Sequence, residues 1–179
     1  MPQGFCSAED WGEVAGALHS YSGQALTLLG DKGRFVVPSD FRKTVKESSD
    51  GHRILCLAKH DRWDCLVGFG LSREAELETQ LDREEDAALR LGREYDRELR
   101  ASQLFGFEKI PFDDSGRFTM PDFIKADGLI EDALFFRGGG RFFTIWNPQV
   151  LDRQGDEWRA AKAGCQGLLA DIAAKAKRK

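Results

Sequence analysis

The sequence predicts an α+β fold built from two copies of one small hairpin-and-helix unit, with helices between and after the halves. Three observations carry this. The stretch Gly30-Asp31-Lys32-Gly33-Arg34-Phe35-Val36-Val37-Pro38 returns 83 positions later as Asp113-Asp114-Ser115-Gly116-Arg117-Phe118-Thr119-Met120-Pro121, with Gly, Arg, Phe and Pro keeping their spacing. Short apolar runs of β-type composition flank both copies, and helical periodicity fills the segments between and after them. Two copies are too few for a solenoid, whose units need several neighbours to bury a continuous core. The halves are therefore expected to close on each other in pseudo-two-fold symmetry.

Composition fits a globular chain. With 179 residues, 41% of them apolar, it can bury a substantial core, and general disorder is excluded. No run reaches the length of a membrane span, and Met1-Pro2-Gln3-Gly4 opens no basic-then-apolar leader, so the expected location is the cytosol. Cys6, Cys56, Cys65 and Cys165 lie far apart with no C-x-x-C pair, which reads as reduced, buried thiols. The net charge is −4, yet Ser72 to Arg100 holds ten acidic residues and six arginines. That segment carries the whole acidic excess, and a basic patch elsewhere is compatible with the total.

In chain order, Ala8 to His19 has the pattern of a short helix. Gln24 to Leu29 reads as a strand, Asp31-Lys32-Gly33 as an acidic turn with Gly33 in the left-handed position, and Arg34 to Val37 as the returning strand. Pro38 ends it. Ser39 is expected to cap a helix over Asp40 to Lys46, with Phe41 and Val45 on one face. Ile54 to Leu57 and Cys65 to Phe69 form a second hairpin around His60-Asp61-Arg62. Leu71 to about Ser102 is helical, with a stripe of Leu77, Leu81, Ala88, Leu91 or Gly92, Tyr95 and Leu99, and Gly92 marks a kink or a break. The spacing of Glu94 to Arg97 and of Asp96 to Arg100 suits ion pairs along the helix.

The second half repeats the order. Leu104 to Phe112 is a strand, Asp114-Ser115-Gly116 the turn, Arg117 to Met120 the return, and Asp122 a helix cap. Ala133 to Phe136 and Arg141 to Trp146 form a hairpin around Gly138-Gly139-Gly140. Asn147-Pro148 then starts a final helix carrying Val150, Leu151, Trp158, Leu168, Leu169 and Ile172, because Asn caps and Pro suits the first helical position. It ends in the basic run Lys175-Ala176-Lys177-Arg178-Lys179.

No catalytic constellation is expected. His19, His52 and His60 have no serine or cysteine motif beside them, and no metal spacing or cofactor loop appears. What stands out is an arginine directly after each turn, Arg34 and Arg117, with Lys32 at the first tip and Arg42 and Lys43 on the helix behind it. A two-stranded ribbon fits a DNA major groove, where arginine pairs with both guanine acceptors. An arginine beside an acidic turn is equally a local partner for the carboxylate.

The segments Gly30 to Arg42, Asp64 to Gly68, Asp113 to Pro121 and the G-G-R-F-F-T-I-W-N-P run ending at Pro148 resemble the MraZ family, transcriptional regulators of the bacterial division and cell-wall gene cluster. The resemblance covers most of residues 22 to 150. It implies two tandem AbrB-like halves in one swapped-hairpin barrel, ring-like homo-oligomers, and binding to direct repeats of double-stranded DNA in the promoter. It also implies a repressor, nucleoid-associated in the cytoplasm. The basic hairpin maps onto Lys32 and Arg34 and, in the second half, Arg117, with Arg42 beside them. Asp31, Gly33, Asp113 and Gly116 shape the turns.

The family's first-half motif begins with Asp four residues before the arginine, and that position here is Gly30. The expected units are a first half over 22–71, a connecting acidic helix over 72–103, a second half over 104–150, and a C-terminal helix with a basic end over 151–179. The rival reading is an oligomeric barrel that serves as a scaffold or protein-binding module. An enzyme on a related barrel is the more distant alternative.

Overall fold

A computed structural model describes residues 19–178; Cys6 and most of the expected N-terminal helix lie outside them. The first half contributes β1 (Gln24–Leu28), β2 (Phe35–Val36), α1 (Ser39–Glu47), β3 (Ile54–Lys59) and β4 (Leu66–Phe69). Two helices follow, α2 (Glu74–Arg90) and α3 (Arg97–Phe105). The second half supplies β5 (Glu108–Pro111), β6 (Arg117–Phe118), α4 (Asp122–Asp127), β7 (Ala133–Gly138) and β8 (Phe143–Trp146), and the chain ends in α5 (Pro148–Asp152) and α6 (Arg159–Ala176).

Six strands form one antiparallel sheet in the order β1-β7-β8-β4-β3-β5, while β2 and β6 pair as a separate ribbon. The expected closed barrel is thereby corrected: the six-stranded ladder is open, with β1 and β5 as its edges. The halves nevertheless exchange strands. β1 of the first half pairs with β7 of the second, and β5 of the second pairs with β3 of the first. Exchanging the halves turns the sheet order into its own reverse, so the pseudo-symmetry read from the repeat is present in the pairing.

Alternation along the strands divides the core between the two faces of the sheet. Phe136, Phe143 and Ile145 join Phe35, Phe41, Phe118 and Ile124 in the larger cluster. Phe135 and Trp146 point the other way, into Cys65, Val150, Leu151, Ala161 and Cys165 beneath the C-terminal helices. The three described cysteines are free and buried as expected, and burial pushes the Cys56 and Cys65 thiols up to about 12.

Several local expectations change. Pro38 and Pro121 precede α1 and α4, and neither helix has a side-chain cap, so Ser39 and Asp122 are helical residues rather than caps. Phe41 and Val45 are buried as the periodicity required. The long acidic helix breaks at Gly92, whose φ of 61° lies in the left-handed region. Leu77 and Leu81 are buried, but Leu91 and Leu99 beyond them are exposed, so the apolar stripe does not continue into α3. Leu104 and Phe105 end α3 instead of starting a strand.

The arginines of α3 pair with α2 and with the turn between β3 and β4 rather than along their own helix. Arg97 reaches Glu78, Asp82 and Glu85, while Arg100 reaches Glu84 and Asp61. The Arg100 hydrogen bonds draw the Glu84 carboxyl down to about 2. Asp96 spends its carboxylate as the α3 cap, accepting from Leu99 N at 2.9 Å. Asn147 caps α5 as expected, accepting from Gln149 N at 3.0 Å, and the final helix is interrupted between α5 and α6.

Candidate nucleic-acid interface

The two tips meet because the exchange of strands brings β2 against β6. Phe35 lies opposite Phe118 and Val36 opposite Arg117, and Val37 N donates to Gly116 O at 2.8 Å to extend the pairing. Successive side chains on a strand face opposite ways. One face of the ribbon therefore carries Phe35, Val37, Phe118 and Met120, all buried. The other carries Arg34, Val36, Arg117 and Thr119, all partly or fully exposed. Both arginines of the repeated motif thus stand on one solvent-facing surface.

Asp113 organises that surface. Its Oδ1 accepts from Ser115 N and from Arg117 N, each at 2.9 Å, which fixes the turn by side chain to backbone. Its other oxygen lies 3.8 Å from Arg34 and 3.9 Å from Arg117. The backbone hydrogen bond from Arg117, then that from Ser115 and the two guanidinium groups, hold the Asp113 carboxyl below its ordinary range. One carboxylate serves both arginines, the first of them from the opposite half of the chain.

The first tip has no such group. Gly30 N donates to Arg34 O at 2.8 Å, as Asp113 N donates to Arg117 O at 2.9 Å, so the backbone frame is the same. The turn itself differs: Lys32 and Gly33 both take left-handed backbone, with φ of 60° and 66°. The sequence marked Gly33 for that conformation and missed Lys32. Lys32 is exposed, and among the described residues its ammonium has no ion-pair partner. Arg34 keeps its Nε buried without an acceptor.

Arg42 is placed differently from the sequence reading. A Cβ at Gly116 would come within 2.7 Å of Arg42 Nη1 and 2.8 Å of Val37 O, so Arg42 lies over the second tip, not behind the first. Glycine at 116 is required twice, by a φ of 82° and by this close approach. The structure therefore brings Arg34, Arg42, Arg117, Asp113 and Gly116 together at one end, with Lys32, Asp31 and Gly33 on the adjoining first tip. Sequence reasoning passed over Arg53, which pairs with Asp114 of the second turn. It stands at the entrance to β3 with no local motif around it, and besides the pair with Asp114 a long-range hydrogen bond from Phe112 N to Arg53 O, 3.1 Å, ties it to the tip.

Among the described residues no cluster of His, Cys, Asp or Glu is arranged to hold a metal ion, and no helix is long and apolar enough to cross a membrane. His60 uses Nδ1 to accept from Arg62 N and Trp63 N, a turn role, and burial lowers its pKa. What the ribbon offers chemically is a set of donors, the guanidinium groups and one ammonium, directed toward solvent from a rigid apolar base.

No family model matches the chain. It is 32% identical over 140 residues to Transcriptional regulator MraZ of Rhodospirillum rubrum, a match covering 78% of this chain and 87% of that protein. It is 27% identical to the protein of the same name from Gluconacetobacter diazotrophicus over 132 residues, 73% and 80% of the two chains. The corresponding protein of Methylococcus capsulatus is 27% identical over 140 residues, 78% and 86% of the two chains. Identity of 32% over 78% of the chain, with further relatives of the same name matching over similar spans, shows that this chain belongs to the MraZ family.

Proposed function

We propose that the chain is a DNA-binding transcriptional regulator that reads duplex DNA with the paired hairpin tips. The observation that carries this is the ribbon of β2 and β6, which sets Arg34 and Arg117 on one exposed face above a buried apolar one. A two-stranded ribbon has the width of the major groove, and arginine there can donate to both guanine acceptors. The naming of the relatives as transcriptional regulators supports the same reading.

In this reading Lys32, Arg34, Arg42 and Arg117 contact DNA, while Asp31, Gly33, Asp113 and Gly116 hold the turns. Residues 22–71 and 104–150 act as two AbrB-like halves that swap hairpins, joined by 72–103 and followed by 151–179. The protein works in the cytoplasm, associated with the nucleoid, as a repressor of the division and cell-wall gene cluster. It assembles as a ring-like homo-oligomer whose tips engage direct repeats in its own promoter. Individually weak tips gain avidity when several are engaged at once. No cofactor or enzymatic step is required.

Fluorescence anisotropy with the duplex upstream of the gene and a scrambled duplex tests it. Arg34→Ala and Arg117→Ala each cost about 1 to 3 kcal/mol on the specific duplex and relax the sequence preference if the arginines read bases. Equal binding of both duplexes by the unaltered chain, or unchanged binding by both variants in an oligomer of unaltered mass, overturns the reading.

A further inference from the structure

The tips are electrostatically neutral taken by themselves: Lys32, Arg34 and Arg117 are matched by Asp31, Asp113 and Asp114. An excess of positive charge lies instead beside the second tip. There a cleft of about 220 Å³ is lined by Ser39, Arg42, Lys43, Lys46, Arg53 and Phe112, with Asp114 at its edge. Four cations from two elements of the first half converge on it. Lys43 is paired at 4.0 Å with Glu47, and Arg53 with Asp114, while Arg42 and Lys46 have no ion-pair partner among the described residues. α1 also presents the first turn of a nine-residue helix there, through Ser39, without a side-chain cap.

The pseudo-symmetric position beside the first tip supplies the control within the same molecule. At the 83-residue spacing, Arg42 and Lys43 correspond to Lys125 and Ala126, while Lys46 belongs to the extra turn that the nine-residue α1 has over the six-residue α4. Arg53 corresponds to Asp132, because Leu29 N donates to Asp132 O as Phe112 N donates to Arg53 O. Lys125 itself is turned onto the ring of Phe35, 5.8 Å from its centroid. One side thus has four cations where the other has one cation and one carboxylate. Fold geometry alone does not demand the cluster, since the equivalent place is built without it.

We infer that the cleft formed by Arg42, Lys43, Lys46 and Arg53 is a binding site for the phosphodiester backbone of duplex DNA, and that the Asp114 carboxylate is its internal competitor. The inference rests on the DNA-binding reading above and assigns the phosphate contacts within it. Arginine and lysine suit this division: the guanidinium of Arg53 can hold two phosphate oxygens, while Lys43 and Lys46 act as point charges on long stems. Asp114 is well suited to yield. Its side chain is 90% exposed, so its ion pair with Arg53 is solvent-screened and readily exchanged for a phosphate. Binding then proceeds asymmetrically within each chain: both tips present arginine, but the second is flanked by a backbone clamp.

The test uses the full chain, with duplex from upstream of the gene and a scrambled duplex of equal length, over a range of salt. Lys43→Ala combined with Lys46→Ala is the main variant, because both side chains are exposed and their removal leaves the core untouched. It is expected to weaken binding several-fold and equally on the two duplexes, with the log-log salt slope reduced by about 0.9 for each phosphate no longer neutralised. Asp114→Asn is expected to strengthen binding, by up to about fivefold, by releasing Arg53 from an exposed ion pair. Lys125→Ala, at the symmetric position, leaves the slope unchanged. If the unaltered chain binds DNA and Arg34→Ala weakens it, but the lysine pair variant and Asp114→Asn change neither affinity nor slope, the cleft inference fails alone. If the unaltered chain binds no duplex, both readings fall.

Discussion

At the first turn of the ribbon Lys32 and Gly33 take left-handed backbone and face solvent, while at the second only Gly116 takes it, buried beneath Arg42. The expected hairpins open into this cross-paired ribbon, since β2 pairs with β6 and not with β1. The first turn has glycine where the second has Asp113, whose carboxylate ties two backbone N–H groups and lies near two arginines. Yet both tips keep the same backbone hydrogen bond across their base and enter one ribbon. The difference shows how a duplicated unit can lose a residue from one copy. Because the copies are interleaved, Asp113 is close enough to supply Arg34 with the partner that Gly30 does not. The second copy has become the electrostatic anchor and the first the freer, more exposed projection.

The largest effect should come from separating the two copies. β1 has its strand partner in β7, and β5 has its partner in β3, so without the other each half keeps only one two-stranded ladder, β3 with β4 or β7 with β8. A chain ending at Ser102 keeps β1 to β4 and loses the ribbon partner of β2. It is expected to give no dispersed amide spectrum and no cooperative thermal transition. A folded, monomeric fragment with a sharp melt would show that the first half is autonomous and that the exchange is incidental.

The tips themselves are compared most directly through their glycines. Gly116→Ala places a methyl group 2.8 Å from the Val37 carbonyl in a left-handed conformation, while Gly33→Ala meets open space at a φ of 66°. Chemical denaturation should therefore register a loss of about 2 to 4 kcal/mol at position 116 and about 1 kcal/mol at position 33. Equal losses would mean that backbone conformation alone matters and that the packing of Arg42 over the second tip contributes nothing.

Asp113 has two separable functions. Asp113→Asn keeps an oxygen for the N–H groups of Ser115 and Arg117 but removes the charge beside Arg34; Asp113→Ala removes both. The alanine variant should melt lower than the asparagine variant. The charge contributes with a definite sign: the Asp113 carboxyl is held below its ordinary range in the folded chain. Its contribution is therefore fully present above the ordinary carboxylate pKa and is lost as pH falls through the depressed one. Melts of the unaltered chain and Asp113→Asn should differ near neutrality and converge in strong acid. A difference that does not change with pH would assign the effect to hydrogen bonding alone.

Much of this molecule is legible in local pattern. The repeated G-R-F-x-x-P fixes both tips, because only a turn followed by a β-type run and a helix-entering proline uses those residues in that order. Phe41 and Val45, Leu77 and Leu81, and the Asn147-Pro148 start were all readable from periodicity or capping chemistry. What local pattern does not encode is partnership. That β1 pairs with β7 and that Arg42 covers Gly116 are contacts between segments far apart in sequence, and that Arg97 spans three carboxylates of α2 depends on how the chain folds back at Gly92. The open edges of the sheet are hidden for the same reason, since a repeat signals two similar units but not the number of ladders they close. Within the candidate site, the arginines were visible from their place after the turns. Arg53 was not, because its partner Asp114 is 61 residues away.

The smallest effect comes from restoring what the first copy lacks. Gly30 has φ of −99° and ψ of −168°, extended backbone open to any residue. A Cβ there would meet only the Arg34 carbonyl oxygen, at 3.4 Å, close to ordinary contact. Gly30→Asp is thus sterically admissible, and by the pseudo-symmetry its carboxylate would lie toward the N–H groups of Lys32 and Arg34 as Asp113 does toward those of Ser115 and Arg117. It would also offer the arginines a second partner and remove a glycine from the unfolded ensemble, two gains of the same sign. A stabilisation of about 0.5 kcal/mol is expected, a rise of about 1 to 2 °C in melting temperature for a chain of this size. The informative measurement is the double variant Gly30→Asp with Asp113→Asn. If one carboxylate between the tips is what matters, the first substitution rescues most of the charge-dependent loss caused by the second. If the melting temperature of the double variant stays at that of Asp113→Asn, the two tips are not interchangeable and the anchor belongs to the second copy alone.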